Sequence, residues 1–295
     1  MKTKWVDLHA HSCASDGDLS PRELVDKACD IGLAALAITD HDTIQGIEEA
    51  LHRASSISIE VVPGVEISVE GEMPGTFHML GYYIDWRDPE LRDTLERLQN
   101  ARSERNLKIL RRLEELGMPL DEQLLGRLAA GGQLGRPHMA KAMVQCGYVS
   151  STEEAFQRYL KKGGPAYVDK FRLSPKEAIR MIRRAGGIAV LAHPGTLRPG
   201  SELELEALTK DLCDEGLMGI EVKYPEHTPQ QEALYAHLAG KYGLLMTGGT
   251  DFHGSAKPQI HLGWGRGDLR VPLQWAQRLK EAHICSAGAR GTLNL

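Results

Sequence analysis

Short apolar runs recur along this chain, and most of them end on a histidine or a carboxylate. The series opens with Val6-Asp7-Leu8-His9-Ala10-His11-Ser12. Ser20-Pro21 with Glu23 then starts a helix that passes through Leu24, Val25, Ala28 and Ile31. A second strand over 34–39 leads into Asp40-His41-Asp42, and 43–55 has helical spacing. The third strand, 59–68, carries Glu66 in an otherwise apolar run, and the fourth, 77–84, carries His78. Later runs lead into His193-Pro194, into Lys223-Tyr224-Pro225-Glu226-His227, and into Thr250-Asp251-Phe252-His253. About seven strands alternating with helices predict an α/β protein with a parallel sheet, closed into a barrel or open and doubly wound. A barrel brings all its strand ends to one rim, whereas an open sheet gathers only a few at its switch point. So many polar strand ends favour the barrel.

The beat breaks once. From Pro89 to Gly117 the apolar residues follow a long helical period, and shorter helical patterns follow at 121–130, 137–145 and 152–161. No strand-like run appears between Glu90 and Pro165. This predicts a small helical insertion domain over 98–165, dividing a barrel made of 1–97 and 166–295. The insertion holds eleven Lys/Arg and seven Asp/Glu, a local +4 in a chain of net charge -5. The overall charge does not suit a coat for duplex DNA. The local excess suits either an anionic substrate or a solvated helix face.

Five scattered cysteines without a Cys-x-x-Cys argue against a disulfide framework and a thiolate zinc knuckle. Apolar runs stay well short of the roughly 18 residues that suggest a membrane span. Met1-Lys2-Thr3-Lys4 runs straight into strand-like sequence, with no secretory signal. The expectation is a reduced, cytoplasmic protein with no membrane partner.

Strand alternation puts His9 and His11 on one face, with Asp7 sharing that parity. Taken singly, each polar residue has a plain structural reading: His78 as a satisfied core histidine, Glu66 paired with a lysine, Asp16 capping a turn. Together, six imidazoles and at least two carboxylates at one end of buried strands are costly unless something binds them. They exceed the ligands of a single divalent ion, so the count suggests two or three metals. Near Pro137, Arg136 and His138 sit at a helix start, where backbone N–H groups favour an anion and Arg136 can grip phosphate with two parallel hydrogen bonds. Arg102 and Arg105 are further candidates, as is His227 after the sixth strand.

Asp7-Leu8-His9-Ala10-His11-Ser12, Ser15-Asp16-Gly17, Thr39-Asp40-His41-Asp42, Gly64-Val65-Glu66, Leu191-Ala192-His193-Pro194 and Thr250-Asp251-Phe252-His253 together resemble the PHP (polymerase and histidinol phosphatase) family of metal-dependent phosphoesterases. The resemblance implies a distorted (β/α)7 barrel with a bi- or trinuclear centre held by His9, His11, Asp16, His41, Glu66, His78, His193, Asp251 and His253. It implies two or three divalent ions, with manganese first and iron or zinc next. The helical insertion resembles that of members acting on nucleoside 3',5'-bisphosphates or the 5' ends of short RNA, where Gly135-Arg136-Pro137-His138 matches a phosphate-binding position.

The expected chemistry is hydrolysis of a phosphate ester by a water activated between two ions that Glu66 or Asp251 would bridge. Asp40, Asp42 and His227 are candidates to protonate the leaving group, and Asp40 could instead fix an imidazole from behind. The expected substrate is a nucleoside 3',5'-bisphosphate, short 5'-phosphorylated RNA cleaved from the 5' end, or both. Alternatives are a histidinol-phosphate phosphatase and, outside catalysis, a metal-stabilised module docking onto a polymerase.

Overall fold

The computed structural model describes residues 4–129 and 132–291. Eight strands form one sheet: β1 (Trp5–Asp7), β2 (Ala35–Ile38), β3 (Glu60–Ser68), β4 (His78–Tyr82), β5 (Ile188–Leu191), β6 (Gly219–Lys223), β7 (Leu245–Gly248) and β8 (Val271–Pro272). Their order is β7-β6-β5-β4-β3-β2-β1-β8. The segment after β1 meets the segment after β7, where Leu8 N–H donates to Gly248 O at 3.1 Å and Asp251 N–H to His9 O at 2.8 Å. These bonds bring the two ends of the series together as a barrel. Gly249 permits the approach, because a Cβ there would lie 2.3 Å from His9 N. Across the interior, the Tyr82 hydroxyl donates to Leu8 O at 2.8 Å, and Val6, Ala37, Val62, Leu80 and Val190 fill the space between strands.

The sheet is not all parallel. β4 runs antiparallel to both β3 and β5. The connection from Val69 to Phe77 is too short for a parallel crossover, which needs roughly a dozen residues or more. His78 therefore lies at the amino end of its strand, not the carboxyl end that the sequence suggests, yet reaches the same rim. The two-residue β8 is an addition to the seven expected strands, antiparallel to β1.

Helices cover the outside, and their starts follow from local sequence. In α1 (Pro21–Asp30) the Ser20 hydroxyl accepts from Glu23 N–H while the Glu23 carboxylate accepts from Ser20 N–H. The helix over 43–55 begins later than its pattern suggests, as α2 (Ile47–Ala54). Between β4 and β5 lie α3 (Pro89–Glu115), α4 (Glu122–Leu128), α5 (Arg136–Gln145), α6 (Thr152–Ala155) with a π-turn over Phe156–Leu160, and α7 (Pro175–Arg184). Ala130 and Gly131 lie outside the described residues. Leu91, Leu95 and Leu98 of α3 pack with the barrel's outer layer, whereas Ile109 and Leu113 join Leu125, Met139, Met143 and Leu160 in a separate apolar cluster. One long helix thus serves two cores. The barrel resumes through α8 (Glu202–Asp214), α9 (Pro229–Tyr242) and the terminal α10 (Leu273–Gly291).

Candidate metal centre and substrate cleft

β1 ends at Asp7, so His9 and His11 stand on irregular backbone beyond it and owe their shared direction to the barrel closure. Their rings lie 5.3 Å apart between centroids. Asp7, which strand alternation puts on their face, turns away. Its carboxylate accepts from Thr250 N–H, the Thr250 hydroxyl, Gly263 N–H and His9 N–H. It ties the loops of β1 and β7 together.

Glu66 occupies the middle of the rim and is fully buried. Its Oε1 lies 2.7 Å from His78 Nδ1 and 2.9 Å from His193 Nε2. Its Oε2 lies 2.9 Å from His41 Nδ1 and 3.3 Å from both His9 Nε2 and His11 Nε2. On one side, Asp251 Oδ1 is 3.0 Å from His11 Nε2; further out, Asp16 Oδ1 is 3.2 Å from His253 Nε2. Donor atoms within 4.8 Å of one another fall into three overlapping groups: His11, Asp16, His41 and His253; His9, His11, Glu66 and Asp251; His41, Glu66 and His78. His193, at the edge, touches both Glu66 and His78.

The donor chemistry fits divalent cations. His9 Nε2, both ring nitrogens of His11, His41 Nδ1, Asp16 Oδ1 and Glu66 Oε2 are buried and lack a hydrogen-bond partner. Orphaned polar atoms are costly in a protein interior, and here they converge. Several rings are held from behind, as metal-binding imidazoles generally are. His253 Nδ1–H donates to Asp251 O at 2.8 Å, His193 Nδ1 bonds the Thr196 hydroxyl at 2.7 Å, and His9 Nδ1 bonds Glu221 at 3.0 Å. Each arrangement leaves Nε2 facing the centre. Burial pushes the Glu66 carboxyl up, but the facing His78, His41 and His9 hold it well below the usual carboxylate range. Asp251 is likewise held down against burial, by Lys257 and His253. Burial pushes His78 down to about 4 despite Glu66. His78 is thus held neutral, whereas against burial the facing acids hold His9 well above its ordinary value and push His11 up to about 9, so a cation entering the rim displaces protons from these two rings.

Asp40 is buried with its oxygens taken by Ser12 N–H and by the Ser12 and Ser15 hydroxyls at 2.6–2.7 Å. It holds the loop that carries Asp16 and makes no hydrogen bond to an imidazole. Asp42 adopts a left-handed φ of 53° and pairs with Arg102 and Lys170, which hold its carboxyl well below the ordinary range against burial. His227 lines the cleft; its Nδ1–H donates to Val222 O at 2.8 Å.

A cleft of about 960 Å³ opens over this rim, with Asp16, His41 and His78 on its floor. Its wall, from the helical segment and the loop that leads from it to α7, carries Arg102, Arg105, Arg136, Lys170 and Arg172. Arg105 is almost wholly buried, its Nε has no hydrogen-bond partner, and no described carboxylate pairs with it. Burial, together with Arg102, Arg136 and Arg172, pushes its guanidinium down to about 9. Arg136 donates to Leu160 O at 3.0 Å and stacks near Phe156 and Tyr167. His138 stands apart from the cleft lining: its Nδ1 accepts from Gly135 N–H at 3.1 Å and caps α5. Lys170, Arg172, Tyr224 and Glu221 escaped the sequence reading. Glu221 alone had a usable signal, a single carboxylate inside the apolar run of β6, as Glu66 has in β3.

A closed α/β barrel with a clustered His/carboxylate rim able to hold metal, under a cationic cleft, is an arrangement suited to metal-dependent phosphoesterases. Residues 7–119 match the PHP domain. The chain is 38% identical over 251 residues to a 5'-3' exoribonuclease of Haemophilus influenzae, covering 85% of this chain and 90% of that one. It is 36% identical over 249 residues to a 3',5'-nucleoside bisphosphate phosphatase of Chromobacterium violaceum, covering 84% and 87%. The crystal structure of a protein described as a metal-dependent phosphoesterase from Bifidobacterium adolescentis superposes with a TM-score of 0.84 at 29% identity, covering 96% of each chain. The chain belongs to the PHP family, and it is an enzyme of the phosphoesterase class.

Proposed function

We propose that this hydrolase removes the 3'-phosphate of nucleoside 3',5'-bisphosphates. The observation that carries the reading is the pair Arg105 and Arg136. Arg105 is buried and Arg136 half-buried, and neither forms an ion pair with a described carboxylate, on the wall of the same cleft whose floor carries Asp16, His41 and His78. Buried guanidinium groups that lack an acid are suited to an anionic group brought by the substrate. Such a grip on one phosphate would leave a second over the metal centre.

The nine residues His9, His11, Asp16, His41, Glu66, His78, His193, Asp251 and His253 would hold two or three divalent ions, with manganese the first choice and iron or zinc next. Bound there, the ions supply Lewis acidity and bring the pKa of water toward neutrality. Glu66 presents one oxygen to the His78/His193 side and the other to the His9/His11/His41 side. This is the geometry of a carboxylate shared between positions. Asp251 is oriented by Tyr224, whose hydroxyl donates to its Oδ2 at 2.8 Å, and by Lys257. His227 keeps its proton on Nδ1, and its Nε2, at the cleft, accepts a long hydrogen bond from Gly195 N–H at 3.4 Å that a substrate donor could replace. We assign Asp40 to holding the Ser12–Ser15 loop, Arg102 to the cationic wall, and His138 to the start of α5. Residues 98–165 act as an insertion domain that supplies this wall. No described helix is long and apolar enough to cross a membrane, and the five cysteines are free; we place the enzyme in the cytoplasm.

A second reading has its own support. The cleft lies at the upper end of the range for small-ligand sites, roughly 300–1,000 Å³. It leaves room for a nucleotide beyond the one cleaved, as stepwise action on the 5' end of short RNA requires. Both readings are tested by phosphate or mononucleotide release from adenosine 3',5'-bisphosphate, short 5'-phosphorylated RNA and histidinol phosphate with added manganese. Activity confined to histidinol phosphate would overturn both.

A further inference from the structure

Glu221 lies on β6, fully buried, and belongs to none of the three donor groups. Both of its oxygens are used. Oε1 is 3.0 Å from His9 Nδ1, and Oε2 accepts from His193 N–H at 2.7 Å. His193 needs that anchor, because its backbone sits at φ 23°, ψ 65°, a conformation a side chain of this size rarely adopts. His9 faces Glu66 Oε2, and His193 faces Glu66 Oε1. One carboxylate therefore holds the ring of His9 and the backbone of His193, two residues whose rings address opposite oxygens of the central Glu66.

We propose that Glu221 is a positioning residue that joins two metal positions, by fixing the tautomer of His9 and the backbone of His193. This rests on reading the rim as a metal centre. A carboxylate accepts from both donors at once. Its isostere glutamine has one accepting oxygen and one NH₂ group. If the amide oxygen keeps the His193 N–H, the NH₂ group faces His9 Nδ1. His9 must then carry its proton on Nε2, where it blocks the lone pair that a metal needs. If the oxygen turns to His9 instead, two N–H donors meet at His193 and its strained backbone loses its anchor. Either way one side of the centre fails, with almost no change in volume.

The test uses the full chain stripped of metal and titrated with zinc by calorimetry. Glu221→Gln should bind roughly 10- to 100-fold more weakly at one class of sites, the range for partners behind a ligand ring. Tyr82→Phe, which deletes a buried hydroxyl donating to Leu8 O, should keep wild-type zinc affinity even if its melting temperature falls. In zinc-loaded wild type, imidazole ¹⁵N–¹H correlation should place the His9 proton on Nδ1, a readout that needs no variant. Wild-type zinc stoichiometry and affinity in Glu221→Gln, or a His9 proton found on Nε2, would overturn the proposal. Wild type that binds zinc but hydrolyses no phosphate ester would defeat the substrate reading and leave this one standing.

Discussion

His78 Nδ1 lies 2.7 Å from Glu66 Oε1, although the two residues come from strands that run in opposite directions. Glu66 sits towards the carboxyl end of β3, and His78 is the first residue of β4. The reversal of one strand brings both to the same rim. Glu66 thereby gains His78 at Oε1 while Oε2 faces His9, His11 and His41, and its loss should be felt at every metal position.

Glu66→Gln should lower turnover by roughly 100-fold or more, because it removes a charge set where Lewis acidity must be concentrated. His41→Ala should do the same while leaving the fold largely intact. Steady-state rates beside circular-dichroism melts check both. Wild-type turnover by His41→Ala in excess chelator would refute the metal mechanism.

Removing metal should also lower stability, since ligand binding to the native state stabilises it by mass action. Stripped protein should melt at a lower temperature and regain both stability and activity with manganese, iron or zinc. A melting temperature indifferent to metal would count against occupancy of the rim.

Arg105→Ala should raise KM by roughly 10- to 100-fold, the loss expected for a buried hydrogen bond to a charged group. Its effect on kcat should be smaller. An equal fall in kcat with KM unchanged would place Arg105 at the reacting phosphate instead of the second one.

Burial pushes the Lys170 ammonium down to about 8, against the pull of Asp42. Substrate affinity should therefore weaken as pH rises through about 8, where the cation is lost. Lys170→Arg should move that limb to higher pH. The unfolded chain keeps this proton up to the ordinary value of 10.5, so the group's contribution to stability rises with pH between the two values. A KM profile without this limb would remove Lys170 from the binding wall.

Gly249→Ala should destabilise the protein by about 1–3 kcal/mol, the usual cost of forcing atoms into a packed site. The added methyl meets the His9 backbone, which cannot yield as a flexible side chain would. Zinc affinity should fall with the melting temperature. A variant as stable as wild type would show that the barrel closure is looser than this contact implies.

The sequence by itself determined the class of fold and the collection of donor side chains. Alternating short strands and helices dictate a sheet wrapped by helices, because each element must bury one face. Histidines and acids at buried strand ends imply a bound cation, because such groups are otherwise too costly to desolvate. Glu66 was legible for that reason, as a lone acid in an apolar run. Tertiary structure alone decided the direction of β4, the turning away of Asp7, and the use of Asp40 and Asp42. Strand parity fixes a side chain's face only while the strand lasts, and β1 stops two residues before His9. Which acid meets an imidazole, a serine or an arginine depends on segments far apart in the chain. In the sequence Arg105 is a candidate that a solvated helix face explains as well, and Lys170 reads as an ordinary surface cation; folding buries both side chains on one wall, so their chemistry belongs to the cleft and not to any local pattern.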